Sequence, residues 1–236
     1  MPMFEIKNRF NGSVLFSLEC GSLKLCVEAA VKAKADLSSA DLSYANLSSA
    51  DLSYVNLRSA DLSSADLSSA NLRSADLSYA DLSYANLSYA NLRSADLSYA
   101  DLSYANLSYA NLRSADLSYA DLTEKQLRWF RDDIWAVLSS SPKEVAGLRT
   151  ALNEGRVNGS TYHGECCCLV GTLAHERKCS YDEIPGLTPD SSRPAEVWFY
   201  GINKGDTPET NRLSKLALEW VNQWLENVQS AFAVNP

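Results

Sequence analysis

Long apolar runs are missing from this chain. Nowhere in its 236 residues does one approach the ~18 needed for a membrane helix, so no membrane association is expected. The N-terminus, MPMFEIKNRF, lacks the basic-then-apolar layout of a secretory signal. A cytoplasmic location is the expectation, with the six cysteines reduced rather than paired. Basic charge is also short: 21 Lys and Arg face 29 Asp and Glu, a net charge of −8. That balance argues against a broad basic face, and hence against direct nucleic-acid binding. GxSxG, P-loop, GxGxxG and HExxH patterns are all absent, so no catalytic residue, cofactor or enzyme activity is expected. The ten glycines and seven prolines avoid residues 35–124 altogether, which excludes a flexible linker or a disordered stretch there.

What fills residues 35–124 is a repeat. Leu recurs at every fifth position from Leu37 to Leu122, eighteen times without a break. Ala stands two residues before each Leu, with Val55 the one exception, and Asp or Asn lies between them. The unit is A-[D/N]-L-[S/R]-[S/Y]. A five-residue apolar period winds around a helix of 3.6 residues per turn and buries no single face. On a strand the odd spacing sends successive leucines to opposite faces. The chain must therefore turn a corner at each unit, with Ala and Leu facing an interior axis. That is a solenoid, in which each coil buries its core only against its neighbours.

In this pattern the segment resembles the pentapeptide-repeat family, over about 90 of the 236 residues. The resemblance implies a right-handed quadrilateral β-helix with four pentapeptides per 20-residue coil. The sequence carries that longer period too, since SADLSYADLSYANLSYANLR at 74–93 recurs identically at 94–113. Eighteen units correspond to about 4.5 coils and a rod roughly 22 Å long at the spacing of paired strands.

Folding on this period stacks like residues into columns. One is entirely acidic: Asp41, Asp61, Asp81, Asp101 and Asp121. A second holds Asp36, Asn56, Asp76, Asp96 and Asp116, and the other two are mainly Asn. The rod is expected to have two acidic faces and two nearly neutral ones. Leu62, Leu82 and Leu102 represent its core. Ladders are expected for Tyr79, Tyr99 and Tyr119, for Tyr84 with Tyr104, and for Tyr89 with Tyr109, while Arg73, Arg93 and Arg113 line one edge. Asx side chains suit a fold that turns at every unit, because they bond nearby backbone groups. Choosing Asp over Asn, however, adds stacked repulsion. The nine aspartates of the two acidic columns are the candidate partner-binding residues.

The flanks read as separate regions: 1–34 as a hairpin and capping helix, 125–236 as a mainly α-helical domain. Residues 4–18 form the hairpin about Asn11-Gly12. Residues 22–34 form a helix with Leu23, Cys26, Val27 and Ala30 on one face. Thr123–Gln126 is a capping box for a helix to about Leu138, with Trp129, Phe130, Trp135 and Leu138 as its apolar face. Ser141-Pro142 opens another helix, ending near Gly155. A helix is expected over Glu165–His175, a loop over Tyr181–Pro194 and a short aromatic segment over Val197–Tyr200. Asp206-Thr207-Pro208 opens a final helix with Leu216, Leu218, Trp220, Val221, Trp224 and Leu225 as its apolar face. The stretches GRVNGSTYHGECCCLVGTLA and PGLTPDSSRPAE more loosely resemble pentapeptide-repeat proteins of tailed phages and prophages.

Zinc is the one metal the residues suggest, through a His163/Cys166 pair with a His175/Cys179 pair. Against it, buried cysteine commonly serves as a small hydrophobe, and no metal is assigned. Asp190–Arg193 and Lys204–Thr207 are polar helix entries, read as caps ahead of anion sites.

The functional expectation is a non-enzymatic protein-binding molecule. Some members of the family the repeat resembles imitate a DNA duplex in width and charge and engage DNA-handling enzymes such as gyrase. The resemblance thus implies a DNA mimic directed at gyrase, a nuclease or a phage or host defence factor. The rival readings are a structural spacer or adaptor displaying the helical domain, and a ligand or metal site within that domain. A homodimer through the C-terminal domain is a further expectation.

Overall fold

The computed structural model describes residues 1–160, 168–180, 183, 190 and 193–233. The chain divides into two compact units, Met1–Thr123 and Glu124–Pro236.

The first unit opens with strands β1 (Met3–Asn8) and β2 (Val14–Glu19), an antiparallel pair with Met3 opposite Glu19 and Lys7 opposite Val14. The connection is a five-residue loop. Within it, the Asn8 side chain accepts from the Phe10 and Asn11 N–H groups, and Gly12 takes the left-handed φ of +71°. Helix α1 (Leu23–Lys32) is capped by the Ser22 hydroxyl, which accepts from Leu25 N–H, and it buries Cys26, Val27 and Ala30. Strand β3 (Ala40–Asp41) pairs with β1, giving the sheet order β2-β1-β3.

From there the chain coils with a 20-residue period. Parallel bridges join Asp41 to Asp61, Asn46 to Asp66, Asp51 to Asn71 and Asn56 to Asp76, and continue in step to Asp121. Each bridge is reciprocal in the same way: Leu42 N–H donates to the Asp61 carbonyl and Asp61 N–H donates back to the Ala40 carbonyl, both at 2.8 Å. The pairing on each side of the coil is too brief to make long strands. All eighteen leucines of the repeat are buried, each contributing about 1.5–3 kcal/mol of apolar burial.

The corner itself needs a left-handed residue. The fifth position of the unit has φ between 55° and 60° from Ser39 through Tyr119, always at Ser or Tyr and never at Gly. Such a conformation costs roughly 1–2 kcal/mol per residue. In each coil that has a successor, three bonds per unit offset it: the Ala N–H closes the turn onto the preceding Leu carbonyl at 2.9–3.1 Å, the Asx side chain accepts from the residue after Leu, and the fifth residue's own N–H crosses to the next coil. Val55, the one departure from Ala, has the longest such closing bond, 3.4 Å, in keeping with its larger side chain.

The first coil has no predecessor to satisfy its backbone. The N-terminal segment supplies the missing partners: Glu28 accepts from Asp51 N–H, Lys24 donates to the Ser48 carbonyl, and Arg9 N–H donates to the Ser39 carbonyl. Capping of the open edge is thus a set of specific bonds.

The second unit is helical: α2 (Glu124–Ser140), α3 (Val145–Asn153), α4 (Leu169–Arg177), α5 (Pro194–Tyr200) and α6 (Arg212–Ala233). Its centre is aromatic, with the Trp198 ring 5.0 Å from Phe130 and 4.7 Å from Trp220. The indole N–H of Trp135 donates to the Trp220 carbonyl, that of Trp198 to the Leu213 carbonyl and that of Trp224 to Ser139 Oγ.

Several boundaries differ from the sequence reading. The α3 helix starts at Val145 rather than at Pro142, because Ser141 is turned inward and buried instead of capping. The α6 helix starts at Arg212, where Asn211 Oδ1 accepts from Ser214 N–H, whereas Thr207–Thr210 forms a separate turn. Its buried stripe is Leu213, Ala217, Trp220, Val221 and Trp224, so Leu216, Leu218 and Leu225 lie at the margin. The segment read as short and aromatic is a helix, α5, with Pro194 in its first turn. Trp129 is 44% exposed instead of lining the apolar face. The start of the helix expected over Glu165–His175 lies outside the described residues.

Candidate functional site

Each acidic column is built by the turn chemistry. Asp61 Oδ1 accepts from Ser63 N–H at 3.0 Å and from Ser63 Oγ–H at 2.6 Å, and Asp81 binds Ser83 in the same way. Asp76, Asp96, Asp101 and Asp116 likewise accept from the backbone two residues on. Asp36 and Asp41 do so in the first coil, where both are exposed. Asp121 ends the all-acid column, bridged to Asp101.

Columns that contain Asn gain a second bond, along the stack. Asn56 Nδ2 donates to Asp36 Oδ1 at 2.9 Å, Asn71 to Asp51, and Asn86 to Asp66. These donors matter for charge: the Ser53 hydroxyl first, then the Ser53 N–H and the Asn71 amide, hold the Asp51 carboxyl below the usual range. Ser68 and Asn86 do the same to Asp66. The column from Asp41 to Asp121 has no amide to donate. Among the described residues, Arg9 is the cation paired with it, 3.8 Å from Asp61.

The sides differ in sign more than the column reading implied. The side with Asp51, Asn71, Asn91 and Asn111 also carries exposed Arg73, Arg93 and Arg113, so it is net basic rather than neutral. The all-Asp side is the opposite face of the four-sided coil.

The tyrosines stack as the period requires. Ring centroids are 4.8 Å apart for Tyr79–Tyr99, 4.7 Å for Tyr99–Tyr119, and 4.9 Å for both Tyr84–Tyr104 and Tyr89–Tyr109, all nearly parallel. Burial in its stack, with the neighbouring Tyr119, Tyr79 and Asp116 charges, pushes the Tyr99 hydroxyl pKa up. Arg58 closes the N-terminal end of one ladder, its guanidinium 4.5 Å from the Tyr79 centroid. Sequence reasoning missed this contact, although Arg58 lies one coil plus one residue before Tyr79 and the period itself points to it.

Of the zinc candidates, His163 and Cys166 lie outside the described residues. His175 sits in the last turn of α4, and Cys179 follows that helix. Among the described residues, no three His, Cys, Asp or Glu side chains cluster as metal ligands. At Lys204–Thr207 the Asp206 carboxylate is already engaged, accepting from Asn203 N–H and Asn211 Nδ2 at 2.8 Å. Ser191 and Ser192 of the other polar entry lie outside the described residues. Composition did not reveal Glu196, an acid buried in α5 that accepts from Val170 N–H at the start of α4. Burial pushes its carboxyl pKa up to about 7, despite the stabilising contacts of Cys168 and Val170. The same burial raises the Cys168 thiol. Among the described residues no helix is long and apolar enough to cross a membrane.

The pentapeptide-repeat family profile matches in eight copies across residues 33–68, 60–98 and 95–129. Among solved structures, the chain is similar to HetL, a pentapeptide repeat protein involved in heterocyst differentiation regulation from the cyanobacterium Nostoc. Identity is 44% over 37% of this chain and 46% of HetL, with a TM-score of 0.31. It is also similar to alr5209, a Nostoc pentapeptide repeat protein, at 35% identity over 44% of this chain and 87% of that one, TM-score 0.27. QnrB1, a plasmid-mediated fluoroquinolone resistance protein, matches at 20% identity over 37% of this chain and 55% of its own, TM-score 0.27, a likeness of fold alone. The chain spans about half the length of HetL and QnrB1. No curated protein matches it.

Proposed function

The chain belongs to the pentapeptide-repeat family, and from that premise we propose that its right-handed quadrilateral β-helix is a non-enzymatic protein-binding surface. Its specific role is to present duplex-like negative charge to the nucleic-acid groove of a DNA-handling enzyme. The observation that carries this reading is the column Asp41, Asp61, Asp81, Asp101, Asp121. Asn at these positions would keep the turn bond and add a bond along the stack, as it does in the neighbouring columns. The column forgoes those bonds and accepts like charges in register, a choice that turn-making does not require. The magnitude permits it: a duplex of ~22 Å carries about 13 charges, against 12 acidic groups and four arginines in residues 35–124, a net −8 that is about 60% of the duplex value.

The test is the triple variant Asp61→Asn, Asp81→Asn, Asp101→Asn, compared with the parent against gyrase supercoiling and a panel of nucleases. The fold should survive with equal or higher melting temperature, because each new amide can bond its neighbour in the stack. Inhibition should weaken at least severalfold. Parental inhibition should also fall steeply with salt, since exposed charges are screened beyond ~8 Å at physiological ionic strength. Full activity in the triple variant, or no inhibition by the parent at low salt, would overturn mimicry. One observation favours a second reading, a spacer or adaptor: the identical segments 74–93 and 94–113 let length change without altering a site.

A further inference from the structure

The chain itself demonstrates what fits the end of a tyrosine ladder. Above Tyr79 the column changes to Ser59, which leaves one ring face without a ring to stack on. Arg58 fills that place, its guanidinium 4.5 Å from the ring centroid and its Nη1 donating to Ser78 Oγ at 3.0 Å. Tyr54 meets the same change at Ser74, and there Arg73 stands 5.8 Å from the ring centroid.

The change recurs on neighbouring sides of the coil at the ladders that begin with Tyr84 and Tyr89. Ser64 precedes Tyr84 in one column and Ser69 precedes Tyr89 in the next. The residues equivalent to Arg58 are Ser63 and Ser68, too short to reach a ring. Ser63 spends its hydroxyl on Asp61, and the Ser68 N–H is taken by Asp66. Each ring is stacked on its other face, against Tyr104 or Tyr109. Both are 63% exposed, and among the described residues no cation stands over either. Tyr44 stands two rungs above Tyr84 in the same column, so the gap at Ser64 is one ring deep.

We propose that the uncovered ring faces of Tyr84 and Tyr89 are docking points for arginine guanidinium groups of a basic protein partner. The proposal rests on the protein-binding reading above and names the partner's chemistry. Three features favour this occupant. A planar cation gains from the ring face, as Arg58 does on Tyr79. Asp61 and Asp81 share the side of Tyr84, and Asp66 that of Tyr89, so the carboxylates that complement a guanidinium are adjacent. A second copy of the chain carries −8 overall, which disfavours it relative to a basic partner.

The test titrates nona-arginine and nona-lysine peptides into the full chain by calorimetry, with circular dichroism confirming that each variant folds. Nona-arginine should bind more tightly. The double variant Tyr84→Ser, Tyr89→Ser should weaken nona-arginine about tenfold, the expected worth of two exposed cation–π contacts, and nona-lysine by less than twofold. Ser63→Arg supplies the missing residue from within and should weaken nona-arginine more than Ser53→Arg. The latter adds the same charge, also removes a serine–aspartate bond, and has no tyrosine in the adjoining coil position. Unchanged nona-arginine binding in the double variant, or equal effects of the two serine variants, overturns the proposal. Ring-dependent dimerisation of the parent by sedimentation would overturn it in favour of a second copy. No DNA enzyme takes part in this titration, so a ring-dependent result alongside absent enzyme inhibition would remove mimicry and leave the arginine sites standing.

Discussion

The two units reach a buried core by opposite routes. In residues 35–123 every core residue is Leu, Ala or the single Val, and its neighbours are residues five and twenty positions away. In residues 124–233 the core is aromatic and heterogeneous, tied by bonds between residues far apart: Trp135 to Trp220, Trp198 to Leu213 and Asp133 to Arg193. The first design makes stability a property of stacking, where any coil depends on the next and charge can be varied freely on the outside. The second makes it depend on a few unique contacts, including the buried acids Glu144 and Glu196. The difference also separates possible functions. The repeat offers a periodic, tunable surface, whereas the helical unit offers a single aromatic interior.

The most severe way to break the comparison is a charge in the stacked core. Leu82 is fully buried. Replacing it in Leu82→Asp loses about 2–5 kcal/mol of apolar packing and adds the cost of burying a carboxylate. Coils above and below lose their contacts together. The repeat is expected to unfold, seen as a collapse of the far-ultraviolet circular dichroism melt, and an unchanged melt would refute stacked coils.

In the helical unit the sharpest single contact is Asp133, whose carboxylate accepts from Arg193 Nε at 2.9–3.0 Å and from Ala195 N–H at 3.0 Å. It ties α2 to the start of α5. Asp133→Ala leaves a partly buried guanidinium and an N–H unpaired, for an expected loss of about 2–3 kcal/mol. All five tryptophans lie in this unit, so their fluorescence reports the melt without interference from the repeat.

The smallest expected effect is pH dependence from Glu196. Its pKa is raised on folding to about 7. Between the ordinary carboxylate range and pH 7 the folded state therefore holds a proton that the unfolded state has lost. Stability of the helical unit should be full below about pH 4.5, decline as pH rises from there to about 7, and level off above it. Glu196→Gln should flatten that slope. A parental slope of the opposite sign in tryptophan-monitored melts would mean that the carboxyl is not held neutral.

Sequence determined the repeat almost completely. A five-residue period with Leu and Ala in phase admits one interior, and the 20-residue duplication assigns each residue its column. Three tyrosine ladders and the all-Asp column could therefore be named by residue number before any coordinate. This worked because each repeat residue's surroundings are set by positions at constant offsets in the chain. Only the tertiary structure decided the rest. It showed that Glu28, Lys24 and Arg9 satisfy the first coil's bare backbone. It also showed α5 as a helix, Asn211 as the cap of α6, and Glu196 as an acid out of water. Those outcomes depend on which distant groups meet once the chain has collapsed. Local pattern carries no record of such meetings: a serine before a proline, or a glutamate in an aromatic run, reads the same whether it ends at the surface or in the core.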